Sequence, residues 1–128
     1  MTADAENVRV LLCDDSAQLR ALVRRDLVGD PVITVVAETA DGREAIALAA
    51  ANDLDVIVLD LHMPGPEPAD LVRRLRRAAP GAAIVTYSGI DPRTIEGLDA
   101  GTVYHVPKVS DLPVLRRAVR RLGAARVP

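Results

Sequence analysis

Five residues of this chain carry side chains that suit one chemistry between them: Asp14, Asp15, Asp60, Ser88 and Lys108. Three carboxylates gathered in one place repel one another, and a hard cation held by oxygen relieves that repulsion. Such a cluster suits Mg²⁺, which keeps several waters and takes one or two carboxylates together with a phosphate oxygen. A lysine ammonium and a serine hydroxyl opposite the carboxylates can hold the oxygens of a transferring phosphoryl group. Catalysis of that reaction is mainly positioning and charge neutralisation.

The five can act together only if the fold gathers them, and their surroundings point to one that does. Each follows or closes an apolar run rich in β-branched residues, at 8–13, 54–59, 82–87 and 102–106, and a fifth such run occupies 32–37. Asp60 lies 45 residues after Asp15, Ser88 28 after Asp60, and Lys108 20 after Ser88, spacings of one strand-helix unit or a small multiple. The intervening segments have helical spacing: Leu19, Leu22 and Val23 in the first, Leu71, Val72 and Leu75 in the third. A second helix is expected from near Asp41, a fourth after Asp91-Pro92, where Asp caps and Pro suits the first turn, and a fifth from Ser110. The fifth puts Leu115, Ala118, Val119 and Leu122 on one face and Arg116, Arg117, Arg120 and Arg121 around the other.

Near-continuous apolar strands alternating with helices predict an α/β fold, a doubly wound (βα)5 three-layer sandwich around a five-stranded parallel sheet. In such sheets ligands bind outside the carboxyl ends of the strands, which is where the five residues fall. The length of 128 residues fits one domain, 1–128, with a core over about 8–122. A formal charge of −2 supplies no basic field for direct nucleic-acid binding. Cys13 is the single cysteine, which excludes an internal disulfide and, within an apolar run, reads as a buried thiol in a reducing compartment. No apolar run approaches the ~18 residues of a membrane span and the N-terminus is no leader, so a cytoplasmic location without membrane contact is expected.

Leu11-Leu12-Cys13-Asp14-Asp15-Ser16, Leu59-Asp60-Leu61-His62-Met63-Pro64-Gly65, Val85-Thr86-Tyr87-Ser88-Gly89 and the late Lys108 together resemble the receiver domains of two-component response regulators, a flavodoxin-like family. The resemblance implies that Asp60 is the phosphoacceptor, that Asp15 and Asp60 ligate Mg²⁺ with Asp14 helping, and that the backbone carbonyl of His62 is a further ligand. It also implies that Ser88 and Lys108 bind phosphoryl oxygens, and that Ser88 reports the state of the site to the fourth helix and fifth strand.

Three departures bear on that mechanism. The family's Lys-Pro, which aims the lysine, is here Pro107-Lys108-Val109. Three residues before the lysine, where the family often has a rotating Tyr or Phe, stands His105, with Tyr104 one position earlier and so on the opposite strand face. The loop after Asp60 runs Gly65-Pro66-Glu67-Pro68 and ends in proline, which stiffens the approach to the third helix. His62, two past Asp60, stands near the mouth, where it can tune hydrolysis of an acyl phosphate. His105 by itself, like Tyr87, Tyr104 and Cys13, reads as a packing residue.

The expected function is a phosphorylation-dependent switch rather than a metabolic enzyme, charged by a sensor histidine kinase or phosphotransfer protein. Its output would be a downstream protein or an output domain missing from the sequence, because Gly123 to Pro128 leave no room for one. A homodimer through the fourth helix, fifth strand and fifth helix is a further expectation. Two alternatives stay open: a pseudo-receiver that binds protein without being phosphorylated, and a receiver fragment of a longer DNA-binding regulator. A metal-dependent hydrolase with an aspartyl nucleophile lacks a second acid two residues after Asp60, where His62 stands.

Overall fold

A computed structural model describes residues 7–125. The strands are β1 (Val8–Cys13), β2 (Ile33–Thr39), β3 (Val56–Leu59), β4 (Ala83–Ser88) and β5 (Tyr104–Pro107). The α-helices are α1 (Ala17–Val28), α2 (Gly42–Ala51), α3 (Pro68–Ala78) and α4 (Leu112–Ala124). All four strand pairings are parallel, in the order β2-β1-β3-β4-β5. The doubly wound α/β sandwich is the one expected.

Side-chain alternation along the strands divides the core in two. Val8, Val10 and Leu12 of β1 pack with Val23 and Leu27 of α1 and Leu115 and Val119 of α4 on one face of the sheet. Leu11 and Cys13 pack with Ala45 and Ala49 of α2 and Leu71 and Leu75 of α3 on the other. β3 and β4 contribute to both layers, so the central strands read as unbroken apolar runs. Each fully buried Leu or Val stabilises the fold by roughly 1.5–3 kcal/mol.

α1 and α2 start on side-chain caps, Ser16 accepting from Leu19 N and Asp41 from Arg43 N and Glu44 N, while α4 starts at Leu112, after Asp111 and with Pro113 in its first turn, two residues later than the expected Ser110. Leu22, expected on the buried face of α1, is 52% exposed, because Val23 and Leu27 make the stripe that meets the sheet.

The fourth expected helix does not form. Between β4 and β5 the chain makes two single 3-10 turns, Pro92–Thr94 and Ala100–Thr102. Each has the same local cause. Asp91 accepts from Arg93 N while the Thr94 hydroxyl donates to the Asp91 carbonyl, and Asp99, Gly101 and Thr102 repeat that pair of bonds. Those side-chain bonds compete with the helical ladder. Between the turns Gly97 takes φ +84°, a conformation that ends a helix. Arg93 bonds to Asp91 through side chain and backbone and holds its carboxyl down to about 2. Ile95, Leu98 and Val103 still pack onto the second core layer, so the segment covers the sheet without a helix. The expected output and homodimer face therefore lacks its helical first member.

α4 closes against β1 with no space to spare. A methyl group at Gly123 would stand 2.3 Å from Cγ1 of Val8. Gly123→Ala is expected to lower stability by about 1–3 kcal/mol through this overpacking, although alanine favours helix by up to ~1 kcal/mol. Urea unfolding followed by circular dichroism checks it, as a lower midpoint with an unchanged slope.

Candidate functional site

The strand order reverses between β1 and β3, and in such a sheet the connections leaving the carboxyl ends of those two strands run to opposite faces and open a crevice. Asp14 and Asp15 leave β1 on one side of it and Asp60 leaves β3 on the other. Asp60 N donates to the Cys13 carbonyl at 2.9 Å, extending the sheet ladder just far enough to bring the carboxylates together. Oxygens of Asp14, Asp15 and Asp60 all lie within 4.8 Å of one another. Asp14 and Asp60 are each 3% exposed, and Asp15 faces solvent.

Both buried carboxylates are partnered in the same way. Asp14 Oδ1 accepts from Ser16 N at 2.9 Å, and Asp60 Oδ1 accepts from His62 N at 3.1 Å. Lys108 Nζ then bridges the remaining oxygens, 2.9 Å from Asp60 Oδ2 and 3.2 Å from Asp14 Oδ2. Burial opposes the lysine's charge, but the bonds to Asp60 and Asp14 outweigh it and hold the ammonium above the usual lysine range. The lysine thus reaches the cluster although Pro107 precedes it. Its backbone is fixed by Lys108 N donating to the Ser88 carbonyl at 3.1 Å.

Ser88, 1% exposed, ends β4 at the same sheet edge, and its hydroxyl accepts from Ile90 N at 3.2 Å. His62 is exposed and lines an open groove beside the cluster with Asp15, Pro64, Pro66 and Glu67. Gly65, at φ +117°, packs directly on Gly42, and Pro64 O accepts from Gly42 N at 2.8 Å, so the proline-rich loop is pinned to the start of α2.

Two contacts, one beside the site and one bearing on it, were not legible as such in the sequence. His105 Nδ1 lies 2.8 Å from the Thr86 hydroxyl, and Thr86 is fully buried. A threonine in the middle of a buried apolar strand needs a partner for its hydroxyl, and that need was the available signal. Tyr104, on the other face, accepts from Arg121 at 3.1 Å with the guanidinium 5.8 Å from its ring centre. The second contact is Arg20 Nη1 donating to the Asp14 carbonyl at 2.7 Å, while Arg20 Nε pairs with Glu38.

Cys13, 1% exposed, has its thiol pushed far above the usual range by burial and by the neighbouring Asp14 carboxylate. It is expected to remain unmodified by a thiol reagent such as DTNB in the folded protein and to react fully once unfolded, which a colorimetric time course measures.

The model of the response regulator receiver domain matches residues 10–120. The chain belongs to this family. Among curated relatives, it is 38% identical to a protein-glutamate methylesterase/protein-glutamine glutaminase of Azospirillum brasilense, over 95% of this chain and 36% of that protein. It is 40% identical to the nitrate/nitrite response regulator protein NarP of Escherichia coli, over 91% of this chain and 55% of that one. The receiver domain thus spans about a third to a half of the length of these relatives. A LuxR-family two-component response regulator from Aurantimonas superposes with a TM-score of 0.81 at 31% identity, covering 94% of this chain and 88% of that one. The response regulator domain of Thermotoga maritima CheB gives 0.76 at 26%, covering 91% and 96%. No helix among the described residues of this receiver domain is long and apolar enough to cross a membrane.

Proposed function

We propose that this receiver domain, residues 1–128, accepts a phosphoryl group on Asp60. An Asp60 carboxylate oxygen forms a bond to phosphorus as the bond from phosphorus to the donor breaks. The donor's leaving atom keeps the electron pair, and an acyl phosphate results. The observation that carries this reading is the charge balance of the crevice: three carboxylates set against one ammonium leave a net −2, which one divalent cation matches.

The donor set, all oxygen, fits Mg²⁺, with Asp14, Asp15, Asp60 and the His62 backbone carbonyl as the residues that would hold it. When bound, the ion would neutralise charge on the phosphoryl oxygens. Lys108 then serves a second phosphoryl oxygen, and the Ser88 hydroxyl a third. The donor is a histidine kinase or phosphotransfer protein in the cytoplasm, and the receiver acts as a switch on a downstream protein or on an output domain of a longer regulator.

A pseudo-receiver that binds protein without phosphorylation is the second reading. It is supported by His105 being bonded to Thr86 and by the two 3-10 turns where a helix of the output face was expected. Intact mass after incubation with acetyl phosphate and Mg²⁺ separates the two. One phosphoryl adduct that needs both metal and Asp60 supports the first reading. No adduct under rapid acidic quenching, with amide spectra unmoved by beryllofluoride, supports the second.

A further inference from the structure

The main chain of Asp14 is held at both its N–H and its C=O. Its N–H donates to the Thr39 carbonyl at 3.0 Å, and its C=O accepts from Arg20 Nη1 at 2.7 Å. The same guanidinium bonds through Nε to Glu38 Oε1 at 3.2 Å, and Arg24 holds the other Glu38 oxygen at 2.7 Å. Arg20 sits one turn into α1, its backbone N–H bonded to the Ser16 carbonyl, while Glu38 is near the end of β2. The clamp therefore ties three elements, β1, α1 and β2, at the turn that presents Asp14 and Asp15. Arg20 and Glu38 side chains are 21% and 24% exposed, so the pair is shielded more than a surface ion pair is.

We infer that Arg20, oriented by Glu38, is a positioning residue for the metal site: it fixes the Asp14-Asp15 peptide and thereby sets the affinity for Mg²⁺. The inference rests on the metal-dependent reading above. Groups that orient a ligand without touching the metal commonly change affinity 10–100-fold when lost.

Charge and positioning make opposite demands here. Arg20 is a cation near an acidic site, so if it acted through charge alone its removal would tighten Mg²⁺ binding. As a clamp, its removal weakens binding, because the two carboxylates lose their fixed presentation. The test is a Mg²⁺ titration of the full chain followed by amide spectra, on wild type, Arg20→Gln, Glu38→Ala and Arg24→Ala.

The clamp gives a Mg²⁺ dissociation constant about tenfold higher in Arg20→Gln. Glu38→Ala moves it the same way by a smaller factor, and Arg24→Ala leaves it within about twofold. Saturating Mg²⁺ restores the rate of adduct formation from acetyl phosphate in Arg20→Gln, since the groups that would touch the metal and phosphoryl group are intact. An unchanged or lower dissociation constant in Arg20→Gln overturns the inference while leaving the metal site standing. If Arg20→Gln does not fold, Arg20→Lys decides, since it keeps the charge and loses the planar fork that bonds both Glu38 and the Asp14 carbonyl: a higher dissociation constant supports the clamp and an unchanged one overturns it. Wild type that binds no Mg²⁺ overturns the metal-dependent reading and the inference with it.

Discussion

Asp60→Asn is expected to form no phosphoryl adduct with acetyl phosphate and Mg²⁺ under conditions in which wild type is labelled, a loss limited only by the detection floor of intact-mass measurement. Asparagine has the shape of aspartate but offers a neutral amide where the reaction needs an oxygen nucleophile. The fold has little reason to suffer. The His62 N–H keeps an acceptor in the amide oxygen, and Lys108 keeps Asp14, 3.2 Å away. Stability should therefore change by no more than about 1–2 kcal/mol. A labelled Asp60→Asn would mean that another group takes the phosphoryl, and exposed Asp15 would be the first to examine, by peptide mapping of the adduct.

The crevice was legible because a strand buried on both faces announces itself as an apolar run, and the first polar residue after it marks the sheet edge. Cys13-Asp14 and Leu59-Asp60 are such boundaries, and the parallel sheet does the rest. Local patterns were less reliable where two local structures compete for the same residues. Asp91-Pro92 opens a helix in many sequences, but Thr94 and Thr102 bond back to the carbonyls that a helix would use, and Gly97 interrupts the segment. For long-range partnerships the sequence signalled at most a need, as at the buried Thr86 hydroxyl, and never the partner. The bonds from Thr86 to His105 and from Arg20 to the Asp14 carbonyl each depend on which strand or helix lies alongside.

The departures from the family pattern now sort into two groups. Lys108 reaches both buried carboxylates despite lacking the following proline, so the acidic site is assembled without it. The changes at His105 and in the segment before β5 fall on the side of β4 and β5, away from the carboxylates. A domain of this kind keeps the parts that would receive a phosphoryl group while the parts around β5 differ from the family's usual relay. Phosphoacceptance and its readout should therefore be measured separately.

Lys108→Ala tests how the crevice tolerates its own charge. In the absence of metal, Lys108 is the cation bonded to both Asp14 and Asp60, and its removal leaves two buried carboxylates facing each other with only one backbone amide each. Losing one partner of a buried pair typically costs ~3–5 kcal/mol. The lysine side chain is 27% exposed, so solvent screening reduces that, and about 2 kcal/mol is the expected loss in metal-free protein. For a domain of this size that is a fall in Tm of roughly 5–10 °C. Added Mg²⁺ should recover most of the loss, because one fewer positive charge stands in the way of the ion, and its affinity should rise about tenfold or more over wild type. Adduct formation should nevertheless be slower at saturating Mg²⁺, since a phosphoryl oxygen has lost its ammonium partner. The paired result, tighter metal and slower labelling, distinguishes a lysine that serves the phosphoryl group from one that merely balances charge. A Tm deficit that Mg²⁺ leaves untouched would instead show that the lysine's role is packing, and that the carboxylates do not bind the ion as a set.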